Sequence, residues 1–329
     1  RYGRIEDLFA GGKLIAPVGV LEMPPFPASA TGPDIRQMAL GSEGRLGVLT
    51  EAVVRVFPLP ETEEFHAVFF PDFEAGMTAV RHIVQARIPL SMMRLSTAVE
   101  TETTLALAGH ERLLAAMGRY LRLRGVGEGQ CLLLFGVTGK TKLVKVARQA
   151  ALALAGEQGG VHVGQTFGKQ WHKNRFHSPY LRNTLWQMGY AVDTVETAVP
   201  WTAVPQTMAA METALRQPLT AVGEKAHIFT HLSHVYPTGA SIYTTVIFRL
   251  AADWGETLDR WRQMKTAVSQ TIVQNGGTIS HQHGVGKDHA PFLAAEKGAL
   301  GMAAIDGVVE RFDPEGIMNC ELLIPHEIN

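Results

Sequence analysis

The densest group of titratable side chains lies near the C-terminal end of the chain, between Ser280 and His289. His281, His283 and His289 occur there among glycines, a composition that is unusual for a protein core. Imidazole gains and loses a proton near neutral pH and often binds metals. The segment therefore predicts a loop with acid–base or ligand histidines, and a solvated loop is the alternative from composition alone.

Two other places carry polar side chains of interest. Residues 230–236 contain two histidines, and Tyr243 follows on the next predicted strand, although ordinary strand-edge polar residues would give the same pattern. Arg182 comes directly after Tyr180 and Leu181, at a predicted helix start. A guanidinium there suits a phosphate or carboxylate in bidentate fashion, and an ordinary surface arginine is the alternative.

Glycines recur every three residues in Gly41–Gly47. The dinucleotide-binding fingerprint follows a strand and opens a helix, whereas this run precedes a predicted strand, which argues against a Rossmann site. Such glycines let the backbone approach a flat or charged ligand and expose its N–H groups. A tight turn is the alternative interpretation of the same run.

Composition narrows the class of protein. The chain has 329 residues, 46% of them hydrophobic, with 30 Lys and Arg against 31 Asp and Glu. This length predicts two domains or subdomains, and the balanced charge argues against nucleic acid as a partner. Cys131 and Cys320 fit neither a disulfide framework nor a zinc site, and no metal site is expected. Because no apolar run is long enough for a membrane helix and no signal peptide is present, we expect a cytoplasmic protein.

Hydrophobic periodicity predicts alternating strands and helices after Pro58 and Pro60. The β-branched stretch 47–57 before these prolines predicts a buried strand. The later predicted strands are 65–70, 89–95, 131–137, 193–199, 226–234 and 240–250. The predicted helices begin at Asp72, Lys140, Thr202 and Asp253, and short helices follow the histidine-rich segment. This order predicts the α+β class, with an antiparallel sheet covered by helices.

Several segments resemble, in this order, one family. Residues 41–57 (GSEGRLGVLTEAVVRVF) resemble the end of the flavin-binding domain in FAD-linked oxidases of the vanillyl-alcohol-oxidase or p-cresol-methylhydroxylase (PCMH) type. Further matching segments are 2–8 (YGRIEDL), 180–182 (YLR), 196–201 (ETAVPW), 241–243 (SIY), 275–277 (NGG), 280–287 (SHQHGVGK) and 313–319 (DPEGIMN). Within this family the resemblance is closest to the alkyldihydroxyacetonephosphate synthases and their bacterial relatives.

The resemblance implies FAD as the cofactor and a particular domain order. Residues 1–60 would form the C-terminal part of a PCMH-type FAD-binding domain, namely its second subdomain. Residues 61–275 would form a cap or substrate domain with an antiparallel sheet flanked by helices, and 276–329 a segment that returns to the flavin. The resemblance places the loop that binds the FAD pyrophosphate upstream of Arg1. We therefore expect a fragment that carries only part of the cofactor site.

The resemblance also implies roles for individual residues. Tyr243 matches a tyrosine that transfers a proton at the substrate carbon, and His281 and His283 match histidines beside the flavin that activity requires. Arg182 matches the arginine that holds a substrate phosphate, and Arg94 matches one needed for flavin binding or activity. The residues implied to line the FAD, with backbone groups near the cofactor, are Glu43, Gly44, Arg45, Leu46, Gly47, Val48, Leu49, Thr50 and Glu51.

The implied reaction belongs to ether lipid biosynthesis. An acyl ester of dihydroxyacetone phosphate loses its fatty acid and gains a fatty alcohol through a flavin N5 adduct, without net redox change. The implied partner is a phosphorylated or lipid-like small molecule, and both a peripheral membrane contact through the substrate and a homodimer are compatible with it. A related FAD-linked oxidase of another small molecule is the next interpretation.

Two departures from the family pattern bear on the chemistry. Gln282 replaces the middle of three histidines, and Cys320–Leu323 replaces the usual tail. The rival family is the FAD-dependent 2-hydroxyacid dehydrogenases of the D-lactate or glycolate type, which hold a metal with histidine and glutamate. Tyr243 and Gln282 stand at two of those positions and are poor replacements, so this alternative is disfavoured. A non-catalytic flavin-domain relative is the third interpretation.

Overall fold

The structure is a computed structural model that describes residues 2–108, 111–319 and 322–324. The chain divides into two compact units. The large unit is Leu59–Gly277, and the small unit combines Tyr2–Pro58 with the C-terminal part of the chain from Thr278. The residues named above that lie outside the described part are Arg1, Cys320 and Glu321.

The small unit contains a three-stranded antiparallel sheet with the strand order β2-β1-β3. Its elements before Pro58 are α1 (Ile5–Leu8), β1 (Phe9–Ala16), β2 (Gly19–Met23), α2 (Arg36–Ala39) and β3 (Val48–Val54). Its hydrophobic core includes Phe9 and Leu14 of β1, Leu46 from the glycine-rich turn, and Val309.

The prediction that residues 47–57 form a buried strand is correct about the strand and wrong about its burial. A strand is present, but all seven residues of β3 are exposed. β3 is an edge strand, paired only with β1 among the described strands of this sheet. β-Branched residues favour extended backbone whether or not their side chains are covered, so the composition predicted the strand and not its burial.

The large unit contains seven strands and eight α-helices among the described residues. In chain order these are β4 (Thr62–Phe70), α3 (Phe73–Gln85), β5 (Met92–Ser96), α4 (Ala98–Ala108), α5 (Glu111–Leu123), β6 (Cys131–Gly139), α6 (Thr141–Glu157), β7 (Val161–His162), α7 (Thr166–Asn174), α8 (Leu181–Gln187), β8 (Tyr190–Pro200), α9 (Val204–Ala221), β9 (Ala226–Tyr236), β10 (Gly239–Arg249) and α10 (Trp254–Gln274).

The seven strands form one sheet with the order β7-β4-β6-β5-β9-β10-β8. Every described pairing in it is antiparallel. The nine residues of β6 are all buried, which explains their nearly continuous apolar sequence. The predicted α+β class with a helix-flanked antiparallel sheet is therefore confirmed.

Helix α3 shows what periodicity does and does not predict. Asp72 caps it as predicted, accepting a hydrogen bond of 2.8 Å from the Ala75 amide. The apolar residues Phe73, Met77, Val80 and Val84, at spacings of four, three and four, predict one buried face, but the buried residues are Gly76, Ala79, Val80 and Ile83. A Cβ at Gly76 would lie 2.7 Å from a Leu95 methyl carbon. The small residues therefore face the sheet, because they let the helix approach it closely.

Helix α10 is capped by Asp253, whose carboxylate accepts from the Glu256 amide at 2.9 Å. The predicted helix carries the apolar residues Leu258, Trp261, Met264, Val268 and Ile272, of which Met264, Val268 and Ile272 are buried. Leu258 is 43% exposed, because it lies near the exposed N-terminal end of the helix.

The C-terminal part of the small unit contains α11 (Gly286–Phe312). The helices predicted after the histidines are present as two helical segments of α11, which meet at Gly298, where φ is 67° and ψ is 170°. These angles are open to glycine and costly for other residues. None of the helices in the described ranges is long and apolar enough to cross a membrane.

Candidate active site

Tyr243 lies in a row of polar residues that crosses the large sheet. It pairs in register with Glu196 on β8 and with His231 on β9. His231 in turn pairs with Ser96 on β5. Directly opposed residues of antiparallel strands project from the same face. The row therefore places the Tyr243 phenol between an imidazole and a carboxylate, on elements that the sheet holds rigidly.

The His231 ring is held by a stacking contact and by a carboxylate. Its centroid lies 4.9 Å from that of Tyr243, with 20° between the ring planes. Its Nδ1 lies 3.0 and 3.1 Å from the two oxygens of Glu100. Glu100 comes from α4 and is buried, and Arg94 of β5 forms an ion pair with it. Four elements of the large unit thus meet at this cluster.

Burial controls the charges in this cluster. It lowers the pKa of His231, and the charge of Arg94 lowers that pKa further, against the opposing effect of Glu100. Burial by itself would raise the pKa of Glu100, but Arg94 and His231 together bring that pKa below its ordinary value. His231 is therefore neutral at neutral pH. Because an ionised carboxylate only accepts, the ring proton lies on Nδ1 and Nε2 is the acceptor.

Glu100 is the residue of this cluster that sequence reasoning missed. The available signal was an acidic residue in the first turn of a helix that begins directly after β5. The same signal arises wherever a carboxylate favours a helix N-terminus, so it does not indicate a buried ion pair. Arg94, predicted to contact the cofactor, keeps a side chain that is 25% exposed.

Arg182 is the second residue of α8 and is exposed. Residues 158–192 around it contain Lys169, Lys173 and Arg175 and no Asp or Glu. This stretch of the chain is therefore positively charged, and an exposed guanidinium in it suits an anionic ligand.

In the small unit, the glycine-rich turn and the histidine-rich segment are bonded to each other. The Glu43 carboxylate accepts from the amide of Val285 and, at 2.9 Å, from that of Gly286, where α11 begins. The Asn319 side chain donates to the Glu43 carbonyl at 2.6 Å. Glu43 has a positive φ of 51°. The turn thus holds the loop that carries His281 and His283.

Arg45 is buried in the interior of the small unit, where it binds other residues of that unit. Its side chain is fully buried, donates to the Met318 carbonyl and lies 3.7 Å from the Asp313 carboxylate. Asp313 also accepts from the amides of Ile317 and Met318 at 3.0 and 2.8 Å. Arg45 as a whole residue is 0% exposed, and its backbone amide donates to the Ser42 carbonyl at 2.8 Å, so Arg45 is committed to the interior of the small unit.

The three histidines of the C-terminal segment differ in exposure. His281 is buried and its carbonyl accepts from Arg4 at 3.4 Å, whereas the His283 side chain is exposed. His289 is buried, and its Nδ1 bonds the Gly284 carbonyl at 2.9 Å. His289 therefore stabilises the loop, which leaves His281 and His283 as the candidates for chemistry.

The small unit fits a flat, largely apolar group laid against backbone. A cavity of about 490 Å³ lies against the turn and is lined mainly by apolar residues, among them Leu40, Leu46 and Ile305. A Cβ at Gly41 would have no heavy atom within 4 Å, so the turn faces open space there. The residues present thus fit part of a flavin site. On β3, the side chains of Val48, Leu49, Thr50 and Glu51 are exposed.

Cys131 contributes no reactive thiol. It is buried on β6, and burial raises its pKa to about 12. Because the thiolate is the nucleophile, this cysteine is unsuited to covalent catalysis.

Comparison with known proteins identifies relatives along the whole chain. The alkyldihydroxyacetonephosphate synthase of Dictyostelium discoideum is 28% identical over 332 residues, covering 99% of this chain and 54% of that protein. The synthase of Trypanosoma brucei brucei is 27% identical over 332 residues, with the same coverage. An uncharacterized FAD-linked oxidoreductase of Escherichia coli K12 is 24% identical over 335 residues, covering 99% of this chain and 65% of that protein. The chain spans about half the length of the synthases it matches.

Solved structures agree with these relatives. A structure of alkyldihydroxyacetonephosphate synthase matches with a TM-score of 0.76 and 25% identity, covering 97% of this chain and 55% of that one. p-Cresol methylhydroxylase with substrate bound matches with a TM-score of 0.66 and 12% identity, covering 96% of this chain and 65% of that one. At that identity the second match shows the fold alone.

The family model described as FAD linked oxidases, C-terminal domain, matches residues 59–321. This match and the relatives confirm the predicted resemblance to PCMH-type oxidases and alkyldihydroxyacetonephosphate synthases, and FAD as the predicted cofactor. The chain therefore belongs to the FAD-linked oxidases.

Proposed function

We propose that the protein is an FAD-linked enzyme that exchanges the acyl group of an acylated dihydroxyacetone phosphate for an alkyl group. The observation that carries this proposal is the placement of Tyr243, whose ring is stacked on the buried, neutral His231 on the neighbouring strands β10 and β9 of the large sheet. A phenol held in this way is suited to proton transfer at a fixed point. The names of the relatives support the substrate class.

The proposed reaction balances without an external oxidant. The bond between the substrate C1 carbon and its ester oxygen breaks, and the fatty acid leaves as a carboxylate. The oxygen of a fatty alcohol forms a new bond to the same carbon and releases its proton. A proton also leaves this carbon and is later returned to it. When bound, FAD supplies an electron-accepting ring system that stabilises charge at this carbon.

Each candidate residue then has a defined task. Tyr243 moves the proton at the substrate carbon. Arg182 binds the phosphate, for which its exposed guanidinium is suited. His281 and His283 assist departure of the carboxylate, since an imidazole can donate a proton or hydrogen bond at neutral pH. The backbone of residues 43–51 and Arg94 contribute to flavin binding.

The experiment uses the FAD-saturated protein with acylated dihydroxyacetone phosphate and radiolabelled hexadecanol. We expect labelled alkyl product and free fatty acid in equal amounts, with no consumption of an electron acceptor. Tyr243→Phe should reduce turnover by about 10²–10⁴-fold, the usual cost of losing a general acid or base. Full turnover in this variant, or product formation only with an electron acceptor, would overturn the proposal.

A second candidate function is oxidation of a 2-hydroxyacid. It is favoured by one observation: the His234 Nδ1 lies 3.7 Å from the buried carboxylate of Glu196, and both side chains are of types that bind metals. A glycolate oxidase subunit of Bacillus subtilis is 24% identical over 319 residues. Metal-dependent activity lost on addition of a chelator, with Tyr243→Phe fully active, would support this function instead.

A further inference from the structure

The proposed function leaves one buried titratable pair of the large unit without a task. Glu100 is 2% exposed and His231 is 8% exposed. Burying a carboxylate and an imidazole together is costly unless each has its partners. Here the His231 Nδ1 lies within hydrogen-bond distance of both carboxylate oxygens of Glu100. The pair lies against the residue that the proposed function uses for proton transfer.

The structure constrains the imidazole from two directions. A turn of the ring about its χ2 bond would remove the Nδ1 hydrogen bond from Glu100, a buried carboxylate whose other partners are Arg94 and Ser96. Losing a hydrogen bond to a buried charged group is expensive. The ring plane is therefore fixed, and the stacked ring of Tyr243 lies within 20° of it.

We propose that His231, locked by Glu100, is a positioning residue for the Tyr243 phenol. The inference rests on the proposed function, in which Tyr243 moves the proton. The flat face of His231 limits the tilt of the phenol ring, and the hydrogen bond to Glu100 keeps that face in place. His231 does not itself exchange the proton, so its flatness matters more than its nitrogen atoms.

A double-mutant cycle tests this role in the FAD-saturated protein. His231→Ala removes the face, and we expect kcat to fall about 10–100-fold, since small misplacements of a reacting group cost up to that much. KM should change little. His231→Phe combined with Glu100→Gln keeps a flat ring without leaving a buried carboxylate that has lost its partner, and should restore kcat to within about threefold of the wild type. In a Tyr243→Phe background, His231→Ala should lower kcat no further, because residues that act as a unit are non-additive.

The matched control is His227→Ala. His227 lies four residues earlier on the same strand and the same sheet face, is exposed, and bonds Thr103 at 2.9 Å. We expect its kcat to remain that of the wild type. If circular dichroism shows that His231→Ala does not fold, Glu100→Gln takes its place in the cycle. We expect Glu100→Gln to lower kcat in the wild-type background and to lower it no further in the Tyr243→Phe background.

The outcomes separate this inference from the proposed function. Equal losses from His231→Ala in both backgrounds would show a merely structural histidine and overturn the inference. No rescue by His231→Phe combined with Glu100→Gln would show that the imidazole nitrogens exchange the proton, and would also overturn it. Full activity of the single variant Tyr243→Phe would instead overturn the proposed function.

Discussion

The Glu43 carboxylate binds the backbone amide of Gly286 at 2.9 Å, joining residues 243 positions apart in the chain. A carboxylate at this place satisfies amides that the first turn of a helix leaves unpaired. The contact couples the glycine-rich turn, where backbone contacts with flavin are expected, to the loop that carries His281 and His283.

The first prediction concerns this contact. Glu43→Ala should lower the free energy of unfolding by about 1–2 kcal/mol, the usual cost of losing a helix cap or a charged hydrogen bond. Urea unfolding measures the change, and hydrogen exchange at Val285 and Gly286 locates it. Glu51→Ala is the control, since Glu51 is exposed and pairs only on the surface with Lys13. Equal stability of both variants would contradict the capping role.

The second prediction concerns the buried pair of Arg45 and Asp313. Arg45→Met should destabilise the protein by about 3–5 kcal/mol, because it leaves the Asp313 carboxylate buried without its cation. Adding Asp313→Asn should recover part of that loss in urea unfolding. A loss below 1 kcal/mol in the single variant would show that Arg45 is not needed in the interior, and would return its side chain to consideration for ligand binding.

The third prediction concerns Arg182. Arg182→Lys keeps the charge and removes the bidentate fork. We expect KM for the phosphorylated substrate to rise about 10-fold, since a charge-assisted hydrogen bond is worth about 1.5–3 kcal/mol. FAD content should not change. Arg262→Lys, at another exposed arginine of the large unit, is the control. An unchanged KM in Arg182→Lys would remove this residue from the substrate site.

The fourth prediction concerns pH and the pair of His66 and His162, whose ring nitrogens lie 3.1 Å apart. Burial lowers the pKa of both, although the Glu64 carboxylate opposes this at His66 and the cations Arg148 and Lys169 add to it. The unfolded chain therefore binds more protons than the folded protein as the pH falls below about 6.5. We expect the melting temperature to fall between pH 7 and pH 5.

Two substitutions test the source of this pH dependence. His162→Gln keeps a polar partner for His66 and removes one titrating group, so the fall in melting temperature between pH 7 and pH 5 should become smaller. His227→Gln, at an exposed histidine of the same unit, should leave it unchanged. If His162→Gln keeps the wild-type slope, the pair of His66 and His162 is not responsible.

The fifth prediction compares two glycines within helices. A Cβ at Gly168 on α7 would lie 2.4 Å from the backbone of Phe65, whereas one at Gly118 on α5 would approach only the end of the Arg122 side chain, at 3.6 Å. Gly168→Ala should therefore destabilise the protein by about 1–3 kcal/mol. Gly118→Ala should stabilise it by about 0.5–1 kcal/mol, since alanine favours the helix. Thermal unfolding that changes in the same direction in both variants would contradict this contrast.

Local signals in the chain were sufficient for much of the fold. Asp72 and Asp253 marked helix starts because an N-cap needs only a side chain within three residues of the amide it binds. The turn residues 236–239 (YPTG), between the predicted strands 226–234 and 240–250, predict the hairpin of β9 and β10, again from local sequence alone. The order of short motifs along the chain was sufficient to indicate the family and FAD.

Relationships between distant segments were not accessible in this way. That Glu100 would meet His231, 131 positions away, follows from the pairing of β5 with β9 and the packing of α4, and no local pattern encodes either. The exposure of β3 and the small-residue face of α3 depend on what lies opposite each element. Propensity and capping act over a few residues, whereas burial, pKa and side-chain partners depend on the whole packed environment. The motifs therefore indicated which residues to consider, and the three-dimensional packing established which of them are neighbours and how they are charged.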